Sequence, residues 1–212
     1  VLPDLLERYP SLSYSLAGEQ EEQRESLGAL AQAFGFSLVM IFALLAIPFR
    51  SYTQPLIVMS AIPFGLIGAV FGHMLLGMSL TMLSLFGVVA LTGVVVNDSL
   101  VMVDFINRRH RAGSPVDLAI REAGAARVRP IVLTSLTTFA GLTPLLLEKS
   151  LQAQFLIPMA TSLAFGVLFA TFITLVLVPV LYRVLEDVLR ARRYGSELDE
   201  AVELDLEQIT TI

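Results

Sequence analysis

Asn97 and Asp98 stand side by side near the middle of an uncharged, apolar run, in SLTMLSLFGVVALTGVVVNDSLVMVDFINRRHR from Ser79 to Arg111. The run reads as one long helix with a basic cluster at its end. Acids at such depth in a membrane helix are costly, and they usually face a protein interior or a wet cavity and carry function. A carboxyl there is poorly solvated, so its protonated and ionised forms both come within reach, and it can bind and release a proton. Asn97 both donates and accepts, so it can sense that charge state. The two side chains point about 100° apart around the helix. The alternative is a permanently protonated Asp98 that bonds a neighbouring helix as structural glue.

Other polar residues carry less. Asp104 and Arg108 are spaced i,i+4 and suit an interfacial ion pair. Thr134, Ser135, Thr137 and Thr138 could lend hydroxyls to a proton path, although such residues commonly bond the backbone of their own helix. Met74, Met78 and Met82 recur every four residues; a thioether ladder suits copper(I), and apolar filler suits the same pattern better. His73 and His110 are expected at opposite membrane faces and make no joint metal site. With no cysteine, disulfides and thiolate sites are excluded. No phosphate-binding loop or nucleophile–base pair is present and basic residues are confined to one membrane face, so ATP hydrolysis and nucleic-acid binding find no support. An intramembrane aspartyl protease needs two acids that share a site, whereas Asp98 and Asp104 lie on one helix and no other span has an interior acid.

The elements that must hold these residues follow from charge segregation. Residues 26–49, 51–72, 74–97, 130–147 and 150–182 are free of Asp, Glu, Lys and Arg, and about 20 apolar residues cross a bilayer. With 55% hydrophobic residues and a mean hydropathy of +0.75, the chain reads as an all-α membrane protein. The expected fold is a five-helix transmembrane bundle with a short N-terminal extramembrane strand and helix stub. The spans fall at about 26–49, 54–76, 80–106, 130–147 and 155–182, within a membrane domain of 26–193. Ser11–Leu16 alternates polar and apolar like a strand, and residues 1–25 read as the end of an outward-facing domain. Residues 115–124 suggest a surface helix that starts at Ser114-Pro115, with Asp117 and Arg121 paired at i,i+4. The tail 194–212 is acidic and expected to be disordered. Pro63 should kink the second span.

Glycines suggest helix packing. Gly68 and Gly72 are spaced for close approach of another helix, or are merely tolerated in lipid. Gly93 and Gly141 are further candidates, the latter on one face with Thr134 and Thr138. Eleven arginines (Arg50, Arg108, Arg109, Arg111, Arg121, Arg127, Arg129, Arg183, Arg190, Arg192 and Arg193) fall on one side of the membrane, against Arg8, Arg24 and Lys149 on the other. The bias puts the C-terminus in the cytoplasm and the N-terminus outside. The start Val1-Leu2-Pro3-Asp4 suggests a piece of a longer polypeptide.

Gly93-Val94-Val95-Val96-Asn97-Asp98-Ser99-Leu100-Val101-Met102-Val103-Asp104-Phe105, followed by Arg127-Val128-Arg129-Pro130-Ile131-Val132-Leu133-Thr134-Ser135-Leu136 and Gly141-Leu142-Thr143-Pro144-Leu145, resembles the resistance–nodulation–division transporters, in their hydrophobe/amphiphile efflux branch. The resemblance implies the C-terminal part of the second half of such a permease, with the last five of twelve membrane helices. It implies export of amphiphilic small molecules or drugs with the proton as coupling ion, no other cofactor and no enzymatic reaction. The implied partners are the N-terminal half of the same permease, two further copies in a homotrimer, a periplasmic adaptor, an outer-membrane channel and the lipid bilayer. The implied location is the bacterial inner membrane, with the N-terminus periplasmic. Thr134 matches a threonine of the family's relay. The well-studied drug pumps carry a lysine at the position of Asn97, so here the proton switch must use hydrogen bonds or Asp98 instead of that salt bridge. A relative that exports lipid or assists protein export, and a structural membrane subunit, are the alternatives.

Overall fold

The computed structural model describes the backbone of residues 18–210 and, within it, the side chains up to Ala191 except those of Glu19 and Gln20. The expected strand at Ser11–Leu16 lies outside these residues. Everything regular that is described is α-helical: α1 (Glu19–Phe49), α2 (Thr53–Met59), α3 (Ile62–Leu75), α4 (Met82–Arg111), α5 (Val116–Leu146), α6 (Leu151–Gln154) and α7 (Ile157–Thr210). Two compact units divide the chain, one up to Val39 and one from Met40 onward.

Helix ends follow local chemistry. α1 closes where Arg50 takes a positive φ of 51°, the left-handed conformation that ends many helices. The second span is interrupted at Ser60–Ala61, and Pro63 occupies the first turn of α3. A proline there has no N–H to extend the preceding turn, so α2 and α3 form one broken span. Thr81 and Ser84 cap α4 reciprocally: the Ser84 N–H donates to Thr81 Oγ1 and the Thr81 N–H to Ser84 Oγ. The last turn of α4 carries Arg108, Arg109, His110 and Arg111, cations that complement the negative end of the helix dipole.

Four helical stretches are long and apolar enough to cross a membrane: Glu21–Phe49, Thr53–Leu75, Met82–Arg111 and Ile157–Ala191. The fifth expected span, 130–147, forms the second half of α5 and is outside that group. Four threonines, a serine and two prolines dilute its apolar character. The surface helix expected at 115–124 is not a separate element, because α5 runs unbroken from Val116 to Leu146. Its first half carries four alanines and three arginines, strong helix formers that outweigh one glycine at a cost of ~1 kcal/mol. Val116, Ala119 and Ala123 are fully covered by protein, so this face packs inside the chain. The expected disordered tail also differs: α7 continues to Thr210, in a segment of Glu, Leu, Ala and Asp broken by a single glycine.

The core of the second unit lies where α3, α4 and α7 meet, around Ala61, Ala69, Val88, Leu91, Val95, Val167 and Ala170. Small residues let the backbones approach. A Cβ on Gly68 would lie 2.9 Å from the Phe165 carbonyl oxygen, and one on Gly72 would meet the Phe165 ring at 2.5 Å. Gly65, Gly87 and Gly166 sit at similar crossings.

Between α5 and α6, the Glu148 carboxylate accepts the backbone N–H groups of Lys149 (2.9 Å) and Ser150 (3.0 Å). These bonds, with Ser150 first, hold its carboxyl below the usual carboxylate range. A lowered folded value stabilises the turn above the ordinary carboxylate range and loses that effect as pH falls through the lowered value. Protection of the Ser150 and Lys149 amides, taken relative to their intrinsic exchange rate at each pH, is expected to fall in acid, and Glu148→Gln should show the lower protection already at neutral pH.

Candidate functional site

Asp98 is the seventeenth residue of the 30-residue helix α4, so about 24 Å of helix precede it at 1.5 Å per residue. Its side chain is half-buried, and Asn97 is exposed. Among the described residues no cation pairs with Asp98. The buried side of the helix around it is Val95, Val96, Ser99, Met102 and Val103. Ser99 donates to the Val95 carbonyl (2.9 Å) and Thr92 to that of Val88 (3.0 Å), so neither hydroxyl is turned to the acid.

The other side of α4 is open. Phe86, Ala90, Gly93 and Asn97 are exposed at helical spacing. Gly93 has no heavy atom within 4 Å of a Cβ built on it, and Gly141 of α5 is equally free. Neither glycine therefore forms a helix crossing among the described residues, unlike Gly68 and Gly72.

Thr134 is exposed, and its hydroxyl donates to the Ile131 carbonyl at 2.8 Å. Thr137 and Thr138 bond the carbonyls of Leu133 and Thr134 in the same way. No hydrogen bond among the described residues links Thr134 to Asn97 or Asp98. The three predicted relay residues are thus presented on α4 and α5 but are not joined.

The structure assembles polar groups that the sequence did not single out. At the Arg-rich end, Gln54 of α2 and Asn107 of α4 exchange carboxamide bonds of 3.1 and 2.8 Å. The Tyr182 hydroxyl of α7 donates to Asn107 Oδ1 at 2.7 Å. Tyr182 is 1% exposed and Asn107 6%, so this knot ties three helices through buried polar groups. An unmatched buried polar group costs about 1–3 kcal/mol. Asn107→Leu orphans two partners and should lower the thermal midpoint of the full-length protein more than Tyr182→Phe, which removes one bond of about 1 kcal/mol.

Two smaller pairings complete the polar interior. Ser135 of α5 meets Thr171 of α7 at 2.5 Å. His73 is buried at the other end of the bundle; its Nδ1–H donates to the Ala69 carbonyl (2.9 Å), and its Nε2 lies 2.8 Å from Ser84 Oγ. At the Arg-rich end, Asp104 pairs with Arg108 at 2.8 Å and Arg109 with Glu122 at 3.0 Å. The guanidiniums of Arg109 and Arg127 lie 5.7 and 5.1 Å from the Phe105 ring centre. No group of three or more His, Cys, Asp or Glu residues that could hold a metal occurs among the described residues. The arrangement offers one chemistry of note: a half-buried acid, without a cation partner among the described residues, beside the open face of Ala90, Gly93 and Asn97.

Comparison with known proteins gives a consistent picture. A model of the AcrB/AcrD/AcrF family matches residues 6–186. The chain is 31% identical over 166 residues to the cobalt-zinc-cadmium resistance protein CzcA of Cupriavidus metallidurans, which covers 78% of this chain and 16% of that protein. It is 29% identical over 185 residues to the multidrug resistance protein MdtC of Pantoea ananatis, covering 86% of this chain and 18% of that one. An X-ray crystal structure of a heavy metal efflux pump superposes with a TM-score of 0.73 at 29% identity, over 88% of this chain and 19% of the pump. The chain thus spans less than a fifth of the length of these proteins.

Proposed function

The chain belongs to the AcrB/AcrD/AcrF family of resistance–nodulation–division efflux permeases, and from that premise we propose that it forms the closing membrane helices of a proton-driven exporter of amphiphilic small molecules. The observation that carries the coupling is Asp98, half-buried at mid-helix without a cation partner among the described residues. Transporters with repeated halves place the coupling site at the midplane between the halves. The open face of Ala90, Gly93 and Asn97 suits contact with the N-terminal half of the same permease, and the exposed Thr134 suits a hydroxyl contact across that boundary.

The proton works by changing one charge. Ionised, Asp98 draws hydrogen-bond donors from the facing half, and Asn97 offers its amide to the same neighbours. Protonated, Asp98 becomes a donor itself and releases them, so the halves repack. The motion passes along α1 to the domain outside the membrane. The working assembly is a trimer in the bacterial inner membrane that engages a periplasmic adaptor and an outer-membrane channel, with the Arg-rich end in the cytoplasm, where positive residues concentrate.

A second reading is export of metal cations, which the names of CzcA and the heavy metal efflux pump favour. The deciding experiment reconstitutes the full-length permease in proteoliposomes with an imposed pH gradient. Flux of an amphiphilic dye, driven by the gradient and absent for cobalt and zinc, is the expected outcome. Metal flux in place of dye flux selects the second reading. Gradient-independent behaviour toward both removes proton coupling.

A further inference from the structure

Two arginines, one aspartate and an apolar wall share a groove at the Arg-rich end of the bundle. Asp117, Ile120 and Arg121 of α5 face Val180, Arg183 and Val184 of α7 around a cavity of 280 Å³, next to Pro179. The i,i+4 spacing predicts that Asp117 pairs with Arg121. Instead Asp117 pairs with Arg183 across the groove, and Arg183 also reaches Asp187 at 3.2 Å. Arg121 is left exposed, with no ion-pair partner among the described residues.

The apolar wall continues away from this end. Phe172, Val176, Val180 and Val184 are 68, 66, 52 and 52% exposed, at four-residue spacing on one side of α7. From Phe172 to Val184 the stripe is about 18 Å long at 1.5 Å per residue. That length is slightly more than one leaflet of a hydrocarbon core ~30 Å thick. A free guanidinium at one end and an apolar strip of leaflet length match the two parts of a membrane lipid. The lining carries two arginines against one aspartate, and that aspartate is already taken by Arg183. A headgroup with a phosphate and no ammonium therefore fits, whereas a zwitterionic headgroup would hold its ammonium against Arg121 without a free carboxylate.

We propose that this groove is a binding site for an anionic glycerophospholipid, with its phosphate on Arg121 and an acyl chain along Val180, Val176 and Phe172. The site rests on the membrane-spanning reading of α7 and is independent of proton coupling. Long basic side chains at the end of a span hold anionic headgroups in this way, at ~1 kcal/mol per residue, or about fivefold in affinity.

The test is retention of phosphatidylglycerol or phosphatidylethanolamine by the purified full-length permease, read by native mass spectrometry. Phosphatidylglycerol should be retained preferentially, and Arg121→Gln should weaken it about fivefold. Val180→Trp, which fills the groove and leaves the charges in place, should also reduce retention. Arg190→Gln, beyond the groove on an exposed turn of α7, should leave it unchanged. Equal retention of phosphatidylethanolamine, equal loss with Arg190→Gln, or no retained lipid would each overturn the site. Proton-driven flux is measured separately, so a failed transport reading leaves this result standing.

Discussion

Asp98→Asn in the full-length permease is expected to uncouple efflux from the proton gradient while leaving the protein folded. Asparagine keeps the shape and hydrogen-bonding capacity of the acid but cannot exchange a proton. No described residue pairs with Asp98 as a cation, so removing its charge orphans no counter-ion among them, and the helices of this chain should stay packed. A coupling free energy of 1–3 kcal/mol corresponds to about 5–150-fold, and gradient-driven flux should fall within that span. Asp98→Glu should retain part of the flux, since it keeps the titrating group and misplaces it by one methylene. Asn97→Ala should have a smaller effect, because it removes a sensor and leaves the carboxyl. If Asp98→Asn and Asn97→Ala both leave efflux intact, the site assignment is lost. A flux–pH profile that flattens in Asp98→Asn separates loss of titration from general damage.

The second large effect is steric. A Cβ on Gly87 of α4 would press on the carbonyl oxygen of Met159 and lie 2.8 Å from Ser162 Cβ on α7. The first obstacle is backbone, which no rotamer change can move aside. The helices must separate, and the contacts around Leu91 and Val167 weaken with them. Overpacking of this kind costs about 1–3 kcal/mol and occasionally more, so Gly87→Ala should lower stability clearly. Gly87→Val should reduce the yield of monodisperse protein on gel filtration. Gly124→Ala is the control: nothing lies within 4 Å of its added Cβ, and the exchange should improve helix propensity by ~1 kcal/mol. A Gly87→Val protein as stable as the parent would mean that α4 and α7 do not pack as described.

The long uncharged intervals already determined most of the helical architecture, because an apolar stretch of membrane length has few other solutions. Asp98 stands out as the candidate for the same reason, since an acid that follows 24 uncharged positions and precedes a further apolar run is conspicuous by solvation cost alone. The helix break just before Pro63 and the basic end of α4 also followed from local chemistry. Helix length was less legible. Nothing near Gly124 or Pro130 stops α5, since the residues around them favour helix and neighbouring elements cover Val116, Ala119 and Ala123.

Pairing across the fold was decided elsewhere. Gln54, Asn107 and Tyr182 meet over separations of 53 and 75 positions, and no local pattern announces which polar group a buried carboxamide will choose. Asp117 had a suitable cation four residues away and took Arg183 instead, because the packing of α5 on α7 brings that guanidinium to it. The glycines make the same point: Gly68, Gly72, Gly87 and Gly166 lie at crossings, whereas Gly93 and Gly141 face open space, although all are glycines in apolar helices. Composition and spacing determined which segments are helices and which residue is costly to bury. Only the tertiary structure decided which faces meet, because a helix surface carries its residues at fixed spacing and its partner's surface selects among them.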